Sequence, residues 1–173
     1  MQIRRVVTGE DASGTGVFAN IEEIPAIKTD FGEWAGVWGW DALPTLPVNP
    51  TDGWQPPSKF PPVGGVRVSF ITFSPSEEIV IEQEDLDAYQ RLEDARSRSR
   101  VTEADGMHKH DTIDIAFVIE GELGVEEENR EEVTLKKGDL LVQNGSKHRW
   151  HHRSGKPTTL GFIVFSASRE DAA

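Results

Sequence analysis

The chain has 173 residues, a formal net charge of −12 and no cysteine. That length suits one domain with a substantial core. The lack of cysteine excludes disulfides, thiolate metal ligands and cysteine nucleophiles, so any metal would be held by nitrogen and oxygen. The acidic balance disfavours phosphate backbones and anionic lipid as partners. No apolar run reaches the roughly 20 residues of a membrane span, and the opening stretch MQIRRVVTGEDASG has no apolar segment of signal-peptide length. The expectation is a cytoplasmic protein with no nucleic-acid and no membrane partner.

In chain order, Arg4–Thr8 and Gly16–Asn20 read as two strands around the turn ASGTG. Trp34, Trp38 and Trp40 then fall within seven residues, separated by small residues. They suit core or interface packing, or an aromatic wall beside a substrate pocket, with Trp38 and Trp40 as pocket candidates. Seven of the ten prolines lie between Pro44 and Pro62, which rules out helix and central strand there. Leu46, Trp54 and Phe60 in that stretch call for burial, so it reads as an extended arm rather than a free linker.

Val66 to Phe73 alternates as a strand. Leu86, Tyr89 and Leu92 recur at helical spacing and predict a short helix over 84–96, either a connector or a lid over a pocket. After Gly106 short strands follow one another at close intervals. Glu126, Glu127, Glu128, Glu131 and Glu132 mark a hairpin tip with Asn129 and Arg130 near its turn, read as a solvated acidic face. The closing SREDAA is expected to fray. Many short strands with little helix and no internal repeat indicate an all-β sandwich or barrel.

The chemistry concentrates in HKHDTID, residues 108–114. In one unbulged strand from Met107 to Ile119, His108, His110 and Asp114 share a face. Ala116 and Val118 continue it as an apolar floor, and Glu120 ends it. Two imidazoles and a carboxylate suit Fe(II), Mn, Ni, Cu or Zn. A further ligand comes from KKGDLLVQNGSKHRW, which carries His148, with Trp150 at the same parity and His151 turned the other way. All five histidines, at 108, 110, 148, 151 and 152, lie in these two segments. Surface histidine pairs are common, so the second segment and the matched parity of Asp114 are what favour a metal. Lys147 and Arg149 are the cations near this segment, and their parity turns them from the ligand face. Phosphorylated sugars are therefore expected to bind poorly.

These residues resemble the two cupin motifs. HKHDTIDIAFVIEG matches the first, with His108, His110, Asp114 and Gly121 in place. GDLLVQNGSKHRWHH matches the second at Gly138, Gly145 and His148. The resemblance departs at Thr102 and Gln143, which replace a glycine and a proline, at His152, which replaces an asparagine, and at Asp114, which stands where the family has glutamate. It implies a single-domain jelly-roll β-barrel over 66–168 with a short helical insert. Residues 1–65 would form an arm that packs on the barrel or on a partner subunit in a homodimer.

The resemblance also implies one divalent transition metal per chain held by His108, His110 and His148, with Asp114 as a fourth ligand or a group that orients one of them. Iron comes first, with zinc, manganese or nickel as alternatives. The function implied is an iron dioxygenase or other oxidoreductase acting on a small apolar or aromatic molecule. A metal-dependent lyase, dehydratase or isomerase is the first alternative, and a non-catalytic small-molecule-binding protein the second. Glu120 is the one acid/base candidate read from the strand, beside a plain salt-bridge role; Trp150, Ala116, Val118, Trp38 and Trp40 are the pocket candidates.

Overall fold

The computed structural model of the chain describes residues 1–48, 54, 56–75, 81–94 and 101–170. Strands β1 (Ile3–Glu10) and β2 (Gly16–Ile24) form an antiparallel hairpin. β3 (Ile27–Thr29), β4 (Gly32–Trp40) and β5 (Val66–Phe73) follow, then helix α1 (Gln83–Asp94). The remaining strands are β6 (Val101–Thr102), β7 (His108–Lys109), β8 (Thr112–Glu120), β9 (Glu122–Glu127), β10 (Glu132–Lys136), β11 (Leu140–Gln143), β12 (His148–His151) and β13 (Thr158–Ser166). One sheet has the order β11-β8-β13-β5-β4-β3, and a second has β10-β9-β12-β7-β6. The pairings within both sheets are antiparallel. The all-β architecture with one short helix matches the expectation.

The two sheets enclose the core. Alternate residues of β8 and β13 point inward, so Ala116, Val118, Leu160, Phe162 and Val164 meet Leu123, Val125 and Leu135 of the opposing sheet. Gly121, at a positive φ of 81°, makes the tight turn that carries the chain from β8 to β9. Burying these branched and aromatic side chains stabilises the fold by about 1.5–3 kcal/mol each.

β3 and β4, which lie within the expected arm, are members of the same sheet as β5. β4 pairs with β5 from Gly32↔Phe73 to Trp40↔Val66. The hydrogen-bonded sheet therefore runs across residue 65 without a break. On its outer face a second cluster forms, with Ile24, Ala35 and Val37 packed by Met1, Ile3, Ala26, Val68 and Phe70.

The proline-rich segment is pinned to β5 through Arg67, a buried cation. Its guanidinium donates to the carbonyls of Ser58 at 3.2 Å and Trp40 at 3.1 Å, and pairs with Asp41. Ser58 and Pro61 are fully buried as a result. Phe60 and Trp54 are half-buried, as expected, whereas Leu46 is exposed. Residues 49–53 and 55 lie outside the described residues.

Helix α1 begins and ends close to the expected span, with residues 95 and 96 outside the described residues. It docks by Tyr89, which is buried against Phe31 and Trp34, while Leu86 faces solvent. The C-terminal segment is held rather than frayed as far as Arg169. That side chain pairs with Asp111 at 2.7 Å and donates to the carbonyls of Gly145 at 2.9 Å and His110 at 3.3 Å. Among the described residues no helix is long and apolar enough to cross a membrane.

Replacing Arg67 by Met strands the Ser58 and Trp40 carbonyls and releases the proline-rich segment. The expected loss is about 3 kcal/mol of unfolding free energy, read as a lower urea midpoint. An unchanged midpoint would show that Arg67 does not anchor the segment.

Candidate functional site

The structure divides the expected single strand in two. β7 belongs to the five-stranded sheet and β8 to the six-stranded one, and the chain crosses between them at His110–Asp111. Arg169 fixes that crossing by tying Asp111 and the His110 carbonyl to Gly145. Gly145 has a positive φ of 66°, and a Cβ there would stand 3.1 Å from the Arg169 guanidinium and 3.2 Å from the His110 carbonyl. A side chain at that position would be strained by the backbone conformation and would need its neighbours to give by a few tenths of an ångström.

His108, His110, Asp114 and His148 nevertheless line one cavity, together with Ala116 and Trp150. Register brings the distant pair together, because His148 of β12 sits directly opposite His108 of β7. Their ring centroids are 4.5 Å apart, and His108 to His110 is 5.4 Å. On the other sheet Asp114 is paired with Gln143 and Val164, which also line the cavity.

Two of the imidazoles are fixed in the same manner. His108 Nδ1–H donates to the Gly106 carbonyl at 2.9 Å, and His148 Nδ1–H to the Ser146 carbonyl at 3.0 Å. Each bond reaches two residues back along the chain and sets the tautomer, leaving Nε2 with its lone pair. His110 packs on Phe60, with centroids 4.5 Å apart.

Burial sets the electrostatics. It raises the Asp114 carboxyl to a pKa of about 6, against the opposing pull of a hydrogen bond from Thr112 and the charge of Lys59. Asp114 Oδ1 is buried without a hydrogen-bond partner. Burial also lowers the pKa of His148, which favours its neutral, ligating form. Three imidazoles, two with fixed tautomers, and a carboxylate oxygen awaiting a partner make a donor set that fits a divalent transition metal.

The other sequence-predicted residues fall elsewhere. Trp34 lines the cavity, but Trp38 and Trp40 do not. The β4 register shifts between Gly36 and Trp38, so one extra residue turns the later tryptophans to the outer face. There Trp38 packs on Trp40 and Trp54, beneath the Arg5 guanidinium. Val118 faces inward but belongs to the packed core beneath the cavity. Glu120 is exposed at the opposite end of β8 from Asp114, so no acid/base role follows from its placement.

Sequence reasoning missed Lys59, Phe60, Phe31, Ser69, Ile71, Phe73, Gln143 and Phe162 in the lining. The alternation of β5 contained a signal for Ser69, Ile71 and Phe73. No periodic pattern marks Lys59 and Phe60, which sit among prolines.

A second cluster lies outside the cavity. Donor atoms of Glu126, Glu132 and His151 all lie within 4.8 Å of one another, a tighter grouping than the cavity donors show. Glu126 is buried rather than solvated, and its carboxylate is already taken. Arg149 grips both oxygens at 2.9–3.1 Å, and His151 Nε2 lies 2.5 Å from Oε2. The His151 contact and the Arg149 and Arg130 guanidiniums hold its pKa down at about 2. Two adjacent guanidiniums oppose a cation, so the cluster joins β9 to β12 by charge pairing. Lys147 likewise pairs outward with Glu103 and Glu128.

Residues 100–165 match the Cupin domain family model. The chain is 39% identical over 59 residues to phomopsin biosynthesis cluster protein C' of Diaporthe leptostromiformis, covering 34% of this chain and 30% of that protein. It is 45% identical over 47 residues to oryzines biosynthesis cluster protein J of Aspergillus oryzae, covering 27% and 26%. It is 36% identical over 59 residues to the cupin-domain-containing oxidoreductase virC of Hypocrea virens, covering 34% and 30%. The matched segment thus spans less than a third of each of these relatives.

The pH response of metal-free protein follows from these shifts. Asp114 has a folded pKa of about 6, above its unfolded value of 3.8, so it costs stability progressively as pH rises from about 4 to about 6 and fully above that. Asp114→Asn should then stabilise the metal-free protein by about 3 kcal/mol at pH 8, with the gain fading as pH falls from about 6 to about 4 and gone below that. His148, depressed by burial, acts in the opposite sense and costs stability in acid. Urea unfolding of parent and variant across this pH range measures both. A variant no more stable than the parent at pH 8 would contradict the cost of burying the Asp114 carboxylate.

Proposed function

The chain is a cupin-domain protein, and from that premise we propose that it is a metal-dependent oxidoreductase acting on a small apolar or aromatic molecule. The carrying observation is the meeting, in one cavity, of three imidazoles and a carboxylate with one buried, unpartnered oxygen. His108, His110 and His148 would hold the metal, with Asp114 as the fourth ligand. An iron ion bound there supplies redox chemistry with dioxygen, and a redox-silent ion supplies Lewis acidity.

The chain's own residues prepare the site. The Gly106 and Ser146 carbonyls orient His108 and His148 before any ligand arrives. Phe31, Trp34, Phe60, Phe73 and Trp150 make the walls aromatic and exclude water from the substrate's apolar part. The cavity measures about 160 Å³, below the ~300–1,000 Å³ of drug-sized sites, so the substrate is small. The name of one relative, an oxidoreductase, supports this choice over the lyase, dehydratase or isomerase alternative.

We also propose that the chain works as a homodimer. Phe18, at 74% exposure, and Ile21, at 53%, leave apolar surface uncovered on the β1–β2 hairpin. A monomer by sedimentation for the parent, or a dimer that survives Phe18→Asp/Ile21→Lys, would contradict this.

Asp114→Ala should weaken metal binding by about 10–100-fold, and His110→Ala should abolish stoichiometric metal. Iron-loaded protein should consume dioxygen together with substrate in a screen of small aromatic and branched compounds, and His110→Ala should not. Turnover without oxygen uptake in zinc- or manganese-loaded protein would move the assignment to a lyase or isomerase. Full metal content in Asp114→Ala would remove Asp114 from the ligand set.

A further inference from the structure

The described lining of the cavity contains a buried amide, Gln143, at the end of β11. Its side chain makes two bonds. Nε2 donates to Glu127 Oε1 at 3.0 Å, and Oε1 accepts from the Ser146 hydroxyl at 2.6 Å. A carboxylate oxygen accepts, so the contact with Glu127 identifies the amide nitrogen, and the Ser146 hydroxyl donates to the amide oxygen. The amide thereby bridges the two sheets. β11 belongs to the six-stranded sheet, whereas Glu127 ends β9 in the five-stranded one.

Both partners of Gln143 lead to His148. Glu127 lies directly opposite His148 in the pairing of β9 with β12. The Ser146 carbonyl accepts the bond from His148 Nδ1–H at 3.0 Å. Residues 144–147 connect β11 to β12. Arg169 holds the Gly145 carbonyl at 2.9 Å, and Lys147 reaches Glu128 at 3.0 Å, both from the protein surface. Gln143 holds the same connection from within. Ser146 is itself exposed. Without Gln143 its hydroxyl would turn to water, and the carbonyl that fixes the imidazole would lose its inner tether.

We propose that Gln143 is a positioning residue for His148. By clamping Glu127 and Ser146 together it fixes the carbonyl that sets the orientation and tautomer of the imidazole, and so keeps Nε2 prepared to bind a metal. The effect on metal affinity rests on the preceding reading of the site, but the effect on the ring does not depend on a metal.

The test compares Gln143→Met, Ser146→Ala and Ser146→Thr with the parent as full-length chains. The tautomer of His148 is read by nitrogen NMR on metal-free protein, with the signal assigned through His148→Ala. Zinc affinity is read by competition with a chelator, and thermal stability is followed in parallel. The parent should show the Nδ1–H form. Gln143→Met and Ser146→Ala should shift His148 toward the Nε2–H form and weaken zinc binding about tenfold or more. Ser146→Thr, which keeps the hydroxyl, should stay close to the parent in both. Should Gln143→Met fail to fold, the exposed Ser146→Ala carries the test alone. The tautomer shift in a protein that binds no zinc would uphold the hold on His148 while removing the metal assignment. A parent in the Nε2–H form would overturn the proposal. So would variants that lose stability while the His148 signal stays unchanged, or a shifted signal with zinc affinity equal to that of a zinc-binding parent.

Discussion

The antiparallel pairing of His148 with His108 is the constraint on which the site depends. The two residues are far apart in the chain, and only strand register places their rings 4.5 Å from each other. A slip of one residue in β12 would turn His148 outward and bring Arg149 into the cavity. The register is held on the outside by charge. Arg149 and His151 converge on Glu126 of β9, and Lys147 reaches Glu128. The acidic hairpin is thus the external lock of a strand whose inner face carries His148 and Trp150.

A second constraint acts at the crossing between the sheets. Arg169 binds the carbonyls of His110 and Gly145 and the carboxylate of Asp111. One side chain from the C-terminal segment therefore couples both histidine-bearing segments. Inside this frame burial disfavours the charged forms of Asp114 and His148. The core beneath, built on Val118, Leu123 and Leu160, supplies the packing that sustains that cost.

Much of this was legible in the residues. Alternation located β1, β2 and β5, and helical spacing located α1, because those elements have one wet face and one dry face. The spacing of HKHDTID and the clustering of the histidines pointed to the four residues that line the cavity. The assumption of one continuous strand failed at His110–Asp111, yet the residue set survived, since both halves face the same interior. The tryptophans show where parity breaks down. A bulge after Gly36 reversed the faces of Trp38 and Trp40; glycine within a strand is a sign of a bulge, but two glycines here left its position open. Glu126 looked like one acid among five, but its burial depends on Arg149 and His151 from another strand. Lys59 was invisible for the same reason: its place is set by its contacts with α1 and by the hold of Arg67 on Ser58, not by local pattern.

The central claim is that the imidazoles of β7 and β12 hold a metal between the two sheets. The most direct measurement is metal content by mass spectrometry, on protein purified without chelator or added metal, beside the His108→Ala/His148→Ala variant. The account predicts close to one divalent transition metal per chain in the parent and none in the variant. A parent that stays empty after reconstitution, or a variant that keeps its metal, would contradict it.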